Sequence, residues 1–210
     1  MAVTATAERN NDKGSGRREN RRPQLLDAAA NRFCQQGYDA ASMRDIAGYA
    51  GMLAGSIYYY FPSKEDLLVA VHEEGVRRIT RAVERVLEAV EGPWPRLEAA
   101  MAAHLSTLLD GGDYAQVVIR ELPGGADAMR GKLVRLRDGY EDIFRHLIDA
   151  LPLSKGASRK HLRLLVMGAL NWSQTWYRRG GDKPETIARH FVGFVRQGVS
   201  IRAAGAATDS

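Results

Sequence analysis

The chain has 210 residues, 45% hydrophobic and 26% charged, with a formal net charge of +5; this suits a folded protein with a sizeable core and excludes a chain disordered throughout. One cysteine, Cys34, excludes an internal disulfide and a paired-cysteine metal site, so a reducing cytoplasm is the expected compartment. No apolar run approaches the roughly 20 residues of a membrane span and the N-terminus carries no signal-peptide pattern, so no membrane partner is expected.

Residues 1–20 are polar, with Arg17 and Arg18 followed by Arg21 and Arg22, and read as a flexible basic arm. Pro23 suits a first helical turn, and Leu25, Ala28, Ala29 and Phe33 form an apolar stripe that Gly37 ends. Ser42-Met43-Arg44-Asp45 resembles a capping box, and Met43, Ile46, Ala47 and Ala50 carry a short second helix over 43–50. Gly51 breaks it, and a two-turn helix over 54–60 follows, with Ile57 and Phe61 facing the core. Ser63-Lys64-Glu65-Asp66 opens a long helix to about residue 89. Beyond Gly92-Pro93, helices are expected over 94–110, 114–121, 124–150, 156–179 and 184–203, separated by Gly111-Gly112, Pro123-Gly124-Gly125, Pro152 and Gly180-Gly181. The fold class is all-α, about nine helices, with a frayed tail over 204–210.

Tyr58, Tyr59 and Tyr60 are consecutive, and neighbours on a helix point about 100° apart, so at least one ring faces outward. Two short helices joined at Gly51, behind a third, match a helix-turn-helix, whose second short helix enters the DNA major groove. A tyrosine there packs its ring on protein or on a thymine methyl and gives its hydroxyl to a phosphate. The stretch from Arg22 to about Glu73, above all SMRDIAGYAGMLAGSIYYYFPSKEDLL, resembles the N-terminal DNA-binding domain of the tetracycline-repressor (TetR) family of bacterial transcription regulators. The resemblance implies a helix-turn-helix domain over 21–68 and a helical effector-binding and dimerisation domain over 69–203. It also implies a homodimer on a pseudo-palindromic operator, released by a small molecule. Phosphate contacts are implied for Ser42, Arg44, Tyr58, Tyr60 and Lys64, and base or groove contacts for Ala54, Gly55, Ser56 and Tyr59. The chain departs from the family where a Ser/Thr cap and a Lys often stand; Leu53 and Ala54 occupy those positions. The arginines of the arm either reach along DNA or merely solvate the tail.

In the second domain, Trp94, Met101, His104, Leu105 and Leu108 share one helix at near-helical spacing. Val118, Arg120, Tyr140 and Phe144 follow, then Met167, Asn171, Trp172, Thr175 and Trp176. Apolar walls with a few polar anchors are what small-molecule sites look like, although the same stripe also describes plain core. NWSQTWYRRGGDKPETIA, with GMLAGSIYYYF, resembles a branch of the family tied to lipid, sterol and aromatic-acid degradation, whose effectors are often acyl-CoA thioesters. Arg120, Arg178 and Arg179 could pair with such a ligand, or simply complement a helix dipole. Ile187, Phe191, Phe194, Gly198 and Ile201 form a seam on the last helix, and Leu164 and Gly168 lie on the one before. These are the expected dimer surface, four helices meeting isologously, unless the seam only covers its own core.

No nucleophile elbow, phosphate-binding glycine loop or HExxH occurs. No enzyme activity, cofactor or metal is expected. Asp142 and His146, four apart, fit a surface ion pair better than a metal site, and Cys34 reads as packing. The reading is a DNA-binding repressor released by a largely apolar ligand. The alternatives are an activator or effector-independent regulator, or a small all-helical enzyme or ligand carrier.

Overall fold

The computed structural model describes residues 21–110, 112–119 and 127–205, with residues 128 and 199–205 described by backbone alone. Among the described residues there are nine helices and no strand: α1 (Arg21–Ala40), α2 (Met43–Tyr49), α3 (Ile57–Tyr60), α4 (Lys64–Leu87), α5 (Pro93–Leu109), α6 (Asp113–Ile119), α7 (Asp127–Asp149), α8 (Arg159–Trp176) and α9 (Pro184–Gly205). The chain divides into two compact units between Leu68 and Val69, inside α4.

The first unit is set by local chemistry. In α1, Leu25, Leu26, Ala28, Ala29 and Phe33 are buried, and Gly37 leaves helical geometry at φ 82°, where a residue with a side chain would be strained. Ser42 caps α2: its Oγ accepts from the Asp45 N–H at 3.1 Å and donates to the Asp45 carboxylate at 2.6 Å. At the other end Gly51, at φ 65°, donates to the Gly48 carbonyl while Met52 donates to that of Ala47. That pair of bonds is a Schellman ending, and it fixes the turn of the helix-turn-helix.

The expected helix over 54–60 begins instead as a 3₁₀ turn, Ala54–Ser56, before α3. Leu53 has no side-chain oxygen to cap the first amides, so Ser56 N–H bonds the Leu53 carbonyl at 2.9 Å and tightens the turn. Ile57 and Phe61 anchor this segment in the core, as their spacing requires. Ser63 caps α4 as Ser42 caps α2, accepting from Asp66 N–H at 3.0 Å and donating to its carboxylate at 2.8 Å.

The second unit contains the rest of α4 with α5 to α9. α5 packs against α7, α8 and α9 around Leu97, Met101, Leu105, Phe144, Ile148, Val166 and Leu170. Arg96 donates to the carbonyls of Leu87 (2.7 Å) and Val90 (3.0 Å), closing the end of α4. α8 starts at Arg159, three residues later than expected, because Ser158 caps it by accepting from His161 N–H. Gly75 brings α4 and α6 together: a Cβ there would lie 2.6 Å from Val118 Cγ2 and 3.2 Å from the Tyr114 carbonyl oxygen.

Several side chains expected to line a ligand site belong to this core. Met101, Leu105 and Phe144 are fully buried within it, and Trp94 packs against it half-buried. Ile187, expected on a dimer surface, is 6% exposed and buried in the same cluster. Its place on α9 faces α5, where the protomer's own apolar surface needs covering.

Candidate functional site

On the first unit, α3 turns Ile57 inward and leaves Tyr58 (55% exposed) and Tyr59 (77%) outside; Leu53, just before, is 81% exposed. Ala54 and Gly55 are exposed beside them, Ser56 and Tyr60 half-buried, and the Tyr59 and Tyr60 rings meet edge-on at 5.2 Å. Ser42 and Arg44 are exposed at the start of α2. Large exposed rings and an exposed leucine in so small a unit make poor sense as core, whereas hydroxyl and guanidinium donors around a small-residue helix start suit a polyanion. Arg17 and Arg18 lie outside the described residues, and Arg22 rests over the Phe61 ring at 5.2 Å.

Lys64 has a different role from the one expected. Its ammonium donates to the carbonyls of Tyr38 (2.9 Å), Asp39 (3.3 Å) and Ala41 (3.1 Å) and sits 4.4 Å from the centre of the Tyr38 ring. All three N–H donors are thus engaged by the chain leaving α1, which leaves none for a phosphate. Lys64→Ala is expected to lower stability by about 1.5–3 kcal/mol, read as a shifted denaturant midpoint, while Tyr58→Phe leaves the midpoint unchanged.

The second unit encloses a cavity of about 570 Å³. Its wall takes His72, Val76 and Ile79 from α4, His104 and Leu108 from α5, Val118 and Ile119 from α6, Leu133, Val134, Leu136, Arg137, Tyr140 and Glu141 from α7, and Met167, Gly168, Asn171, Trp172 and Gln174 from α8. Of the residues expected there, His104, Leu108, Val118, Tyr140, Met167, Asn171 and Trp172 line it. Trp94, Met101, Leu105 and Phe144 do not, being core, and Thr175 and Trp176 are exposed near the end of α8. Arg120 lies outside the described residues. Gly168, expected at the dimer surface, borders this wall and is also exposed on the outer side of α8. The contribution of α4 was missed, although His72, Val76 and Ile79 carry the i, i+4, i+7 signature of one helix face.

Some polar groups in and beside the wall are paired. His104 Nδ1 is 2.7 Å from Tyr140 Oη, and Arg163 donates to Glu141 at 2.6 Å. Elsewhere on α7, Asp142 pairs with Arg145 at 2.9 Å rather than with His146. Burial lowers the pKa of His104 to about 4, from 6.5 when unfolded, because desolvation disfavours imidazolium. Between those values the unfolded chain binds more protons, so stability rises with pH there. Acidification across that window is expected to cost the wild type about 3 kcal/mol that His104→Phe does not lose, measured as denaturant midpoints at several pH values.

Residues 25–71 match the family described as bacterial regulatory proteins, tetR family, and residues 90–199, more than half of the chain, match the tetracyclin repressor-like C-terminal domain. The chain belongs to the TetR family. It is similar to the HTH-type transcriptional repressor KstR2 of Mycobacterium tuberculosis, 26% identical over 197 residues that span 90% of this chain and 98% of that one. Among solved structures, superantigen PfiT is 29% identical with a TM-score of 0.74, covering 84% of this chain and 96% of its own. AibR in complex with isovaleryl coenzyme A and operator DNA is 22% identical with a TM-score of 0.73, covering 83% and 97%; that likeness is one of fold. As a TetR-family member the protein is a DNA-binding transcriptional regulator, not an enzyme.

A third feature of this TetR-family chain is an outward apolar face on α8 and α9: Leu164, Leu165, Trp172, Trp176 and Phe194 are all exposed, with Gly168 and Gly198 exposed among them. Phe191 is half-buried and meets Trp176 at 6.3 Å. Ile201 lies on α9, with only its backbone described. Among the described residues no helix is long and apolar enough to cross a membrane.

Proposed function

We propose that this TetR-family regulator is a cytoplasmic repressor that binds a pseudo-palindromic operator as a homodimer and is released by a small, largely apolar ligand in the cavity of its second unit. Residues 21–68 form the DNA-binding domain and 69–203 the effector-binding and dimerisation domain. The observation that supports the first part is the outward α3 face: Tyr58 and Tyr59, with Leu53 just before them, are left largely exposed in the protomer. Arg44, Tyr58 and Tyr60 reach phosphates, joined by the Ser42 hydroxyl where it exchanges its bond to Asp45 for one to DNA, while Ala54, Gly55, Ser56 and Tyr59 lie against base edges. Leu164, Phe194 and Gly198 meet their copies across the two-fold axis, joined by Trp172 and Trp176 at the rim.

The mostly apolar wall with few polar groups supports an effector whose bulk is hydrocarbon. AibR, of the same fold, binds isovaleryl coenzyme A, which favours an acyl-CoA thioester over other apolar molecules. Arg178 and Arg179, exposed just beyond α8, are placed on the chain where CoA phosphates could be met.

The test is a titration of the purified protein against DNA flanking its own gene, at two salt concentrations. Dimer-stoichiometric binding that weakens with salt is expected, reversed by acyl-CoA. Arg44→Ala and Tyr58→Phe should weaken binding to all sequences alike, whereas Tyr59→Ala and Ser56→Ala should change which sequence is preferred. Uniform losses at all four positions would contradict this division of labour. Absence of binding both here and in selection from random DNA would remove the regulator reading of these residues.

A further inference from the structure

Leu53 is 81% exposed, more than any other large apolar side chain among the described residues. Scattered exposed leucines are ordinary, but this one stands at the N-cap of the 3₁₀ turn Ala54–Ser56 and makes no side-chain cap hydrogen bond. Serine, threonine, aspartate or asparagine there would accept from an amide of the first turn, whereas leucine is among the poorest residues at an N-cap. Within the protomer the choice is unfavourable twice, once in the cap forgone and once in apolar surface left in water.

The residue is nonetheless firmly placed. Met52 before it and Ile57 after it are buried. Met52 N–H donates to the Ala47 carbonyl at 2.8 Å, and the Leu53 carbonyl accepts from Ser56 N–H at 2.9 Å. Its own backbone is extended, at φ −67° and ψ 141°. The isobutyl group is thus carried on a fixed backbone, at the start of the exposed run Leu53, Ala54 and Gly55.

Operator DNA supplies the partner that the protomer lacks. Leucine has neither donor nor acceptor to offer a phosphate or a polar base edge. Among the groups that base pairs present in the major groove, the C5-methyl of thymine is the apolar one. Ala54 and Gly55 beside it have no bulk to hold the helix start away from the bases. We infer that Leu53 is a specificity-determining residue that packs on a thymine methyl, so that each operator half-site carries a thymine at the base pair facing residue 53. This rests on the proposed entry of α3 into the major groove. Tyr59, 77% exposed, offers a second apolar surface to a methyl, and variants of the two residues tell the contacts apart.

The experiment selects an operator from random DNA with the full-length protein, then replaces each thymine in turn, in both half-sites, by deoxyuridine. Uracil keeps the hydrogen-bonding groups of thymine and lacks the methyl alone. At one position the wild type is expected to bind about tenfold more weakly, about threefold for each methyl lost. Leu53→Ser and Leu53→Ala should bind the thymine and uracil forms at that position alike and keep the wild-type response elsewhere. Leu53→Ser restores a capping hydroxyl, so its denaturant midpoint should be at or above that of the wild type, which separates lost discrimination from lost folding. A wild type indifferent to uracil at every position overturns the inference. So does a response that survives in both Leu53 variants, whether or not Tyr59→Ala removes it. Either result leaves the DNA-binding regulator standing. Failure of the wild type to select any DNA removes the regulator reading, and this inference with it.

Discussion

Phe194→Asp is expected to split the homodimer and lower operator affinity by about 10²–10⁴-fold. Phe194 is 69% exposed on α9 and adjoins the apolar face formed with Leu164, Leu165, Trp172 and Trp176. Within one protomer the ring has little to lose, so the fold should tolerate the change. In a two-fold contact the same substitution enters twice, and both carboxylates would be stripped of water without a partner. An operator with two half-sites is then gripped by separate subunits, and the gain from linking two binding events, about 10²–10⁴, is forfeited. Sedimentation of the variant at micromolar concentration, with an operator titration beside it, checks both parts. A variant that stays dimeric would move the subunit contact to another face. An unchanged denaturation profile per protomer would separate lost assembly from lost folding.

Phe144→Ala is expected to destabilise the second unit by about 3–5 kcal/mol, a large share of the 5–15 kcal/mol that typical domains possess. Its side chain is fully buried and meets the Tyr140 ring at 5.8 Å as well as that of His104. Truncation leaves a void that the surrounding helices fill only in part, and it removes the support that holds the histidine and tyrosine together. Phe144→Leu, which keeps most of the volume, should cost less than half as much. Denaturant midpoints at constant slope give the energies. Equal midpoints for the alanine variant and wild type would show that this region is loosely packed.

Local features of the fold were legible because they are written in neighbouring residues. Ser42 with Asp45 and Ser63 with Asp66 announce their own caps, Gly51 its own turn, and Ile57 with Phe61 their inward face. The 3₁₀ entry to α3 was foreshadowed by the absence of a hydroxyl at Leu53, though not read as geometry. The candidate site was less legible wherever a role depends on distant chain. A lysine at position 64 suits a phosphate or a carbonyl equally, and only the path of residues 38–41, some 23–26 positions away, decides between them. Met101, Leu105 and Phe144 have the same chemistry as true cavity residues; which apolar side chains touch one another and which border empty space is set by tertiary packing. Ile187 follows the same rule: it shares an apolar seam with the exposed Phe194, and only packing against α5 decides that it is buried.

Gly75 lies outside the cavity wall, yet it governs how much the cavity can hold. Val118, which does line the cavity, places Cγ2 only 2.6 Å from where the first side-chain carbon of any other residue at 75 would stand. Alanine there would favour the helix by about 1 kcal/mol on intrinsic grounds but would force Val118, and α6 with it, to give way. The change would be felt as an altered volume rather than an altered contact. A drift in which molecules relieve repression could thus arise at a position that a survey of ligand-touching residues would never sample.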